Sequence, residues 1–122
     1  MAGGSVLVVD DDAAFRRLAE RLLVASGLSV AGEAETAAAA LTVAAALRPD
    51  SILVDVGLPD RDGVSLAGDL VLLPWRPRIV LTSSDADAAT ASDVRRIGAE
   101  AFVPKAELRN AALHSLLGAR ER

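Results

Sequence analysis

The chain contains no cysteine, which excludes disulfides, thiolate metal sites and thiol catalysis and leaves the redox compartment undetermined. No segment approaches the roughly 18 uninterrupted apolar residues of a membrane span. The N-terminal MAGGSVLVVDDD lacks the basic start and the long apolar run of a signal peptide, so the expectation is a cytoplasmic protein without membrane contact. A net charge of -4 denies the molecule the basic field of a non-specific nucleic-acid binder. No glycine-rich loop follows the first apolar run, which argues against a dinucleotide-binding domain. Lysine is nearly absent too: of 13 Lys plus Arg, the one lysine is Lys105, inside FVPKAEL. A lysine offers a compact point charge on a flexible stem and an arginine a planar fork, so what surrounds Lys105 decides whether the exception matters.

What is present is a globular composition, 52% hydrophobic and 25% charged, in 122 residues that fit one domain spanning 1–122. Short apolar runs alternate with helical segments. SVLVV (5–9), LSVAGEA (28–34), SILVD (51–55), RIVLTS (78–83) and EAFVP (100–104) read as strands. Helices are expected over 13–26, with Phe15, Leu18, Leu22 and Leu23 on one face, and over 36–47, 64–73, 87–99 and 106–118. Gly27 and Gly98 are stops for the first and fourth of these. GARER (118–122) reads as a frayed tail. Five strands each followed by a helix predict an α/β fold, a doubly wound five-stranded parallel sheet covered on both faces.

In such sheets ligands bind beyond the carboxyl ends of the strands. The first strand ends in Asp10, Asp11 and Asp12, the third in Asp55, the fourth in Thr82 and Ser83, and the fifth leads to Lys105. Asp12 reads as the N-cap of the first helix, and Asp60 and Asp62 in GLPDRDG read as turn and cap residues. Asp55 follows an apolar run that should be buried, and clustered carboxylates there resist ionising unless a cation is present. Mg²⁺, which takes one or two carboxylates together with phosphate oxygens, resolves this. Asp10, Asp11 and Asp55 could supply the site, with one carboxylate left as a nucleophile. Lys105 would neutralise incoming phosphate oxygens and the Thr82 hydroxyl would donate a hydrogen bond. His114, the one histidine, lies among leucines and reads as a helix-face residue.

Taken in order, VLVVDDD, ILVDVGLPDRDG, IVLTS and GAEAFVPK make the chain resemble, over essentially its whole length, the receiver domain of bacterial two-component response regulators. The resemblance implies a flavodoxin-like sheet in the strand order 2-1-3-4-5, and that Asp55 accepts a phosphoryl group from a phosphohistidine of a sensor histidine kinase, or from a small phosphodonor. It implies that Asp11 and Asp55 ligate Mg²⁺, that Asp10 acts through water, and that the Gly57 backbone carbonyl completes the protein ligands. Lys105 would pair with the phosphoryl group. Thr82 and Phe102 would carry the switch to a face made by the fourth helix, fifth strand and fifth helix, with Arg95, Arg96 and Glu107 as surface members. A downstream protein or output domain, and a phosphorylation-dependent homodimer, are the implied partners. Nucleic acid would be reached only through an output domain.

The sequence departs from the family in three places. Ala106 follows the lysine where proline is common, while Pro104 precedes it; Ser83 stands where alanine is preferred; and Gly57 offers no side chain to shield an acyl phosphate. Two other readings stand beside the receiver. One is a receiver-like interaction module that acts without phosphorylation. The other is a small aspartyl-phosphate phosphatase similar to the haloacid-dehalogenase type, built on Asp10-x-Asp12, for which the later acidic pair is missing.

Overall fold

The computed structural model describes residues 3–120. Its strands are β1 (Ser5–Val9), β2 (Ser29–Ala34), β3 (Ser51–Asp55), β4 (Arg78–Ser83) and β5 (Ala101–Pro104). They form one parallel sheet in the order β2-β1-β3-β4-β5, the expected flavodoxin-like order. The helices are α1 (Ala13–Ala25), α2 (Ala37–Leu47), α3 (Gly63–Leu70), α4 (Ala91–Ile97) and α5 (Leu113–Leu117), with a 3₁₀ helix at Lys105–Asn110.

Alternation along the strands feeds two cores, as a parallel sheet covered on both faces requires. Leu7, Val9, Ile52, Val54, Ile79 and Leu81 point to one face, where Ala40 and Ala44 of α2 and Leu66 and Leu70 of α3 cover them. Val6, Val8, Leu53, Val80 and Val103 point to the other, beneath Phe15, Ala19 and Leu23 of α1 and Leu113 and Leu117 of α5. The small residues of α2 let that helix lie close to the sheet.

Local chemistry sets the helix ends. Asp12 caps α1 by accepting from the Ala14 and Phe15 amides, as expected. Asp62 caps α3 through the Val64 amide. Asp60 does more than turn the chain: its carboxylate accepts from the Ala37 and Ala38 amides at 2.8 and 3.1 Å, so it caps α2 from a distant loop. Gly98 ends α4 in the left-handed region, at φ 79°, where a side chain would be strained.

Three expected helices differ. The fourth starts at Ala91 rather than 87, because Thr90 and Asp93 form a reciprocal capping box that fixes the entry. The third ends at Leu70, short of 73. The last, expected over 106–118, is broken into the 3₁₀ helix and the short α5 by an extended Ala111. Leu108 and Leu113 are both buried, yet five residues on a continuous α-helix would set them about 140° apart. The break turns both towards the core. The expected tail is partly held: Gly118 is buried and the Ala119 amide donates to Gly3 O at 2.8 Å. Its last two positions, 121 and 122, lie outside the described residues. Among the described residues no helix is long and apolar enough to cross a membrane.

Candidate functional site

Strand register builds the site. Val9 pairs with Val54, so Asp10 and Asp55 leave neighbouring strands side by side; Asp55 pairs with Thr82, and Thr82 with Val103, two residues before Lys105. The site is thus a row across the carboxyl end of the sheet.

Asp10 is fully buried, and Asp55 is 6% exposed. Asp11 is exposed at the rim. One carboxylate oxygen from each of the three lies within 4.8 Å of the others, a cluster of hard oxygen donors that could hold a divalent cation. Asp10 Oδ1 accepts from the Asp12 amide at 2.8 Å. Asp10 Oδ2 accepts no hydrogen bond, although Lys105 Nζ lies 2.7 Å away in an ion pair; the pair is close but not aligned as a hydrogen bond. A buried carboxylate oxygen left this way fits a site completed by a cation. Lys105 Nζ is also 4.0 Å from Asp55 Oδ2.

The Asp55 carboxyl is held above its ordinary pKa, first by burial and then by the Asp10 charge, with a smaller push from Asp11. Lys105 and the Gly57 amide oppose that rise. Burial and like charges disfavour the ionised form, whereas a nearby cation favours it.

The other expected residues fall around this row. Thr82 is fully buried, and its hydroxyl donates to Val103 O at 2.7 Å, so it is engaged with β5 rather than with Asp55. Ser83 Oγ accepts from the Asp85 amide at 3.0 Å. Gly57 is exposed in the loop after β3, and Phe102 is half-buried on β5. Phe102 lines an open cleft of about 330 Å³ with Pro104, Glu107 and Leu116. Asp12, whose carboxylate serves the α1 cap, is exposed. His114 is exposed beside Gly3 and Gly27 at the opposite end of the sheet, away from the carboxylates.

Several residues around the site were not legible as such. Arg16 donates to Asp10 O and to Glu33 Oε1, both at 2.6 Å, tying the end of β1 to the end of β2. Gly63 packs against the backbone that carries Asp55: an added Cβ would lie 2.1 Å from Asp55 O. Phe15 lies beneath Lys105, with the ring centroid 4.1 Å from Nζ. For Gly63 the preceding Asp62 was a cue to a turn but not to close packing. Phe15 gave only a helical period, and Arg16 only a place within the same expected helix.

Comparison with known proteins agrees with this geometry. Residues 6–117 match the family model of the response regulator receiver domain. The KDP operon transcriptional regulatory protein KdpE of Escherichia coli is 39% identical over 103 residues, which cover 83% of this chain and 44% of that protein. The chemotaxis protein CheY of Bacillus subtilis is 29% identical over 100 residues, 82% of this chain and 83% of that one. The chain therefore spans less than half the length of KdpE and most of CheY. The response regulator domain of Thermotoga maritima CheB superposes with a TM-score of 0.75 at 26% identity, covering 92% of this chain and 90% of that one. With the sheet order, the acidic cluster and a match over nearly all of its length in agreement, the chain belongs to the response regulator receiver domain family of two-component systems.

Proposed function

We propose that the chain is a phosphoacceptor unit and that Asp55 is the residue phosphorylated. The observation that carries this reading is the position of Asp55, flanked by Asp10 on one side and Lys105 on the other at the carboxyl end of the sheet. One Asp55 carboxylate oxygen attacks the phosphorus of a phosphohistidine on a sensor histidine kinase, or of a small phosphodonor. The new O–P bond forms as the P–N bond breaks, and the electron pair leaves on the imidazole nitrogen, which takes up a proton. Attack of water on phosphorus reverses the modification, releasing phosphate and regenerating the Asp55 carboxylate. The unit thus catalyses its own phosphorylation and dephosphorylation and is not an enzyme acting on an external substrate.

Asp10, Asp11, Asp55 and the Gly57 carbonyl are the groups that would hold Mg²⁺. Bound there, the ion supplies positive charge that offsets the carboxylates and the phosphoryl oxygens. Lys105 neutralises a phosphoryl oxygen from the other side. Thr82 exchanges its acceptor: its hydroxyl leaves Val103 O for a phosphoryl oxygen, which frees β5, and Phe102 turns inward to follow. The face of α4, β5 and α5 then takes up its signalling form. That face serves a downstream protein, an output domain or a second copy in a phosphorylation-dependent homodimer, and any nucleic-acid contact belongs to an output domain. The setting is the cytoplasm, with residues 1–122 acting as one receiver unit.

Intact mass after incubation with a small phosphodonor tests the reading. Wild type with Mg²⁺ gains one phosphoryl group, and the gain vanishes without Mg²⁺ or in Asp55→Asn. No gain in wild type, under conditions that label a control receiver and also with a cognate kinase, would leave an interaction module that works without phosphorylation.

A further inference from the structure

Lys105 has a neighbour without charge. Its ammonium lies 4.1 Å from the centroid of the Phe15 ring, while the same atom is 2.7 Å from Asp10 Oδ2 and 4.0 Å from Asp55 Oδ2. An aromatic face attracts a cation through its quadrupole, more strongly where water is excluded. Here the Lys105 side chain is 20% exposed and Phe15 is 7% exposed. We infer that Phe15 is a positioning residue for Lys105, its ring being the seat that holds the ammonium over the acidic cluster. The inference rests on the phosphoacceptor reading of Asp55 and deepens it.

The local sequence explains how the seat is placed. In DDDAAF the first two aspartates stand in the cluster and the third caps α1 through the Ala14 and Phe15 amides. The cap fixes the first turn of the helix, and with it the ring. Phe15 shares its core cluster with Ala19, Leu23 and Leu108. Leu108 belongs to the 3₁₀ helix that Lys105 opens, so ring and lysine stem are anchored in the same packing. This gives the lone lysine a physical reason: a compact ammonium can meet a ring face and two carboxylates at once, whereas a guanidinium stacked on the ring aims its donors within its own plane.

The ring matters because the carboxylates are an unreliable hold. When a divalent cation occupies them, the charges that attract the ammonium are already neutralised, at the stage when Lys105 must meet a phosphoryl oxygen. The attraction of the ring does not change in that exchange. It keeps the flexible stem from swinging to solvent, and so shortens the search of the ammonium for the incoming oxygen.

The test uses the fact that the chain has one lysine. Protein labelled with lysine ¹³C at Cε gives a single Lys105 signal, and in wild type its protons are expected upfield of free lysine through the ring current. Phe15→Leu, which keeps an apolar side chain but removes the ring, moves the signal to the free-lysine position; Phe15→Tyr keeps it shifted. At saturating Mg²⁺ the phosphorylation rate with a small phosphodonor falls about three- to tenfold in Phe15→Leu and stays near wild type in Phe15→Tyr. The Mg²⁺-induced rise in Tm is the same in all three, since the carboxylates are untouched. A wild-type signal at the free-lysine position, a wild-type rate in Phe15→Leu, or a Phe15→Tyr rate as low as that of Phe15→Leu would overturn the inference. If wild type is not labelled at all, the phosphoacceptor reading fails, while the lysine signal still decides whether the ring holds the ammonium. Should Phe15→Leu not fold, the wild-type and Phe15→Tyr spectra decide it.

Discussion

Asp55→Asn should make the protein more stable in the absence of divalent cations. Asp55 is buried, and at an effective dielectric constant of about 20 two unit charges 4.0 Å apart interact by about 4 kcal/mol. That is the attraction to Lys105 which the substitution removes. The repulsion from Asp10, at no more than 4.8 Å, is at least about 3.5 kcal/mol on the same scale and is removed as well. These two nearly cancel, so the outcome is decided by what remains: the penalty for burying a charge and the weaker push of the exposed Asp11, both relieved by the neutral amide. Asparagine keeps the shape of the side chain and an acceptor for the Gly57 amide. A net gain of about 1–3 kcal/mol follows, or roughly 4–12 °C in Tm for a domain of this size. Thermal unfolding in EDTA and in Mg²⁺ measures it. Wild type should gain about 1.4 kcal/mol at a Mg²⁺ concentration ten times its dissociation constant, and the variant much less, so the two curves converge as the ion is added. A variant less stable than wild type in EDTA would refute the reasoning, because the Asp55 charge would then be a net stabilising partner of Lys105.

Gly63→Ala should lower stability by about 3 kcal/mol or more, read as a drop in Tm, because the new Cβ would meet Asp55 O at 2.1 Å and Val56 Cα at 2.7 Å, and both are backbone. Thr82→Val should cost about 1–3 kcal/mol in chemical denaturation, since it leaves the buried Val103 carbonyl without its donor. The same variant should still be phosphorylated but lose the rearrangement of β5, measured by hydrogen exchange. The Asp60 carboxyl is held below its ordinary pKa, first by the Ala37 amide and then by the Ala38 amide. A depressed pKa contributes stability that is fully present above the unfolded value near 3.8 and is lost as pH falls through the lower folded value. Asp60→Asn should therefore flatten the acid limb of a plot of Tm against pH, and an unchanged limb would show that the cap contributes nothing.

What the sequence made legible is what local pattern controls. The runs 5–9, 51–55 and 78–83 became strands at their expected bounds because an apolar run ending in acid or hydroxyl has one place to stop in a parallel sheet. Asp12 announced its cap by preceding a helical run. The rest needed partners distant in the chain. Asp60 caps a helix more than 20 residues before it, Gly63 answers to the backbone of Asp55, and Phe15 answers to Lys105. None of these leaves a local period. The break in the last helix was hidden for a related reason: Ala-rich, leucine-studded sequence favours a continuous helix, and only the competing demands of Leu108 and Leu113 on the core interrupt it.

The site therefore depends on register more than on any single contact. Asp10, Asp55, Thr82 and Lys105 come from four strand ends, and each is set beside the next by parallel pairing of β1 with β3, β3 with β4 and β4 with β5. A slip of one residue in any strand would exchange its two faces, burying a polar residue where a core residue stood and removing one member of the row. The two cores resist that slip, since β3 is buried along its whole length and offers no tolerant face. Charge at the carboxyl end can thus stay unfavourable without a cation: the loss is local and the cores hold the strands. A site whose carboxylates are crowded by the scaffold, with Lys105 seated on an aromatic ring, is the arrangement on which the proposed phosphoacceptor role would draw.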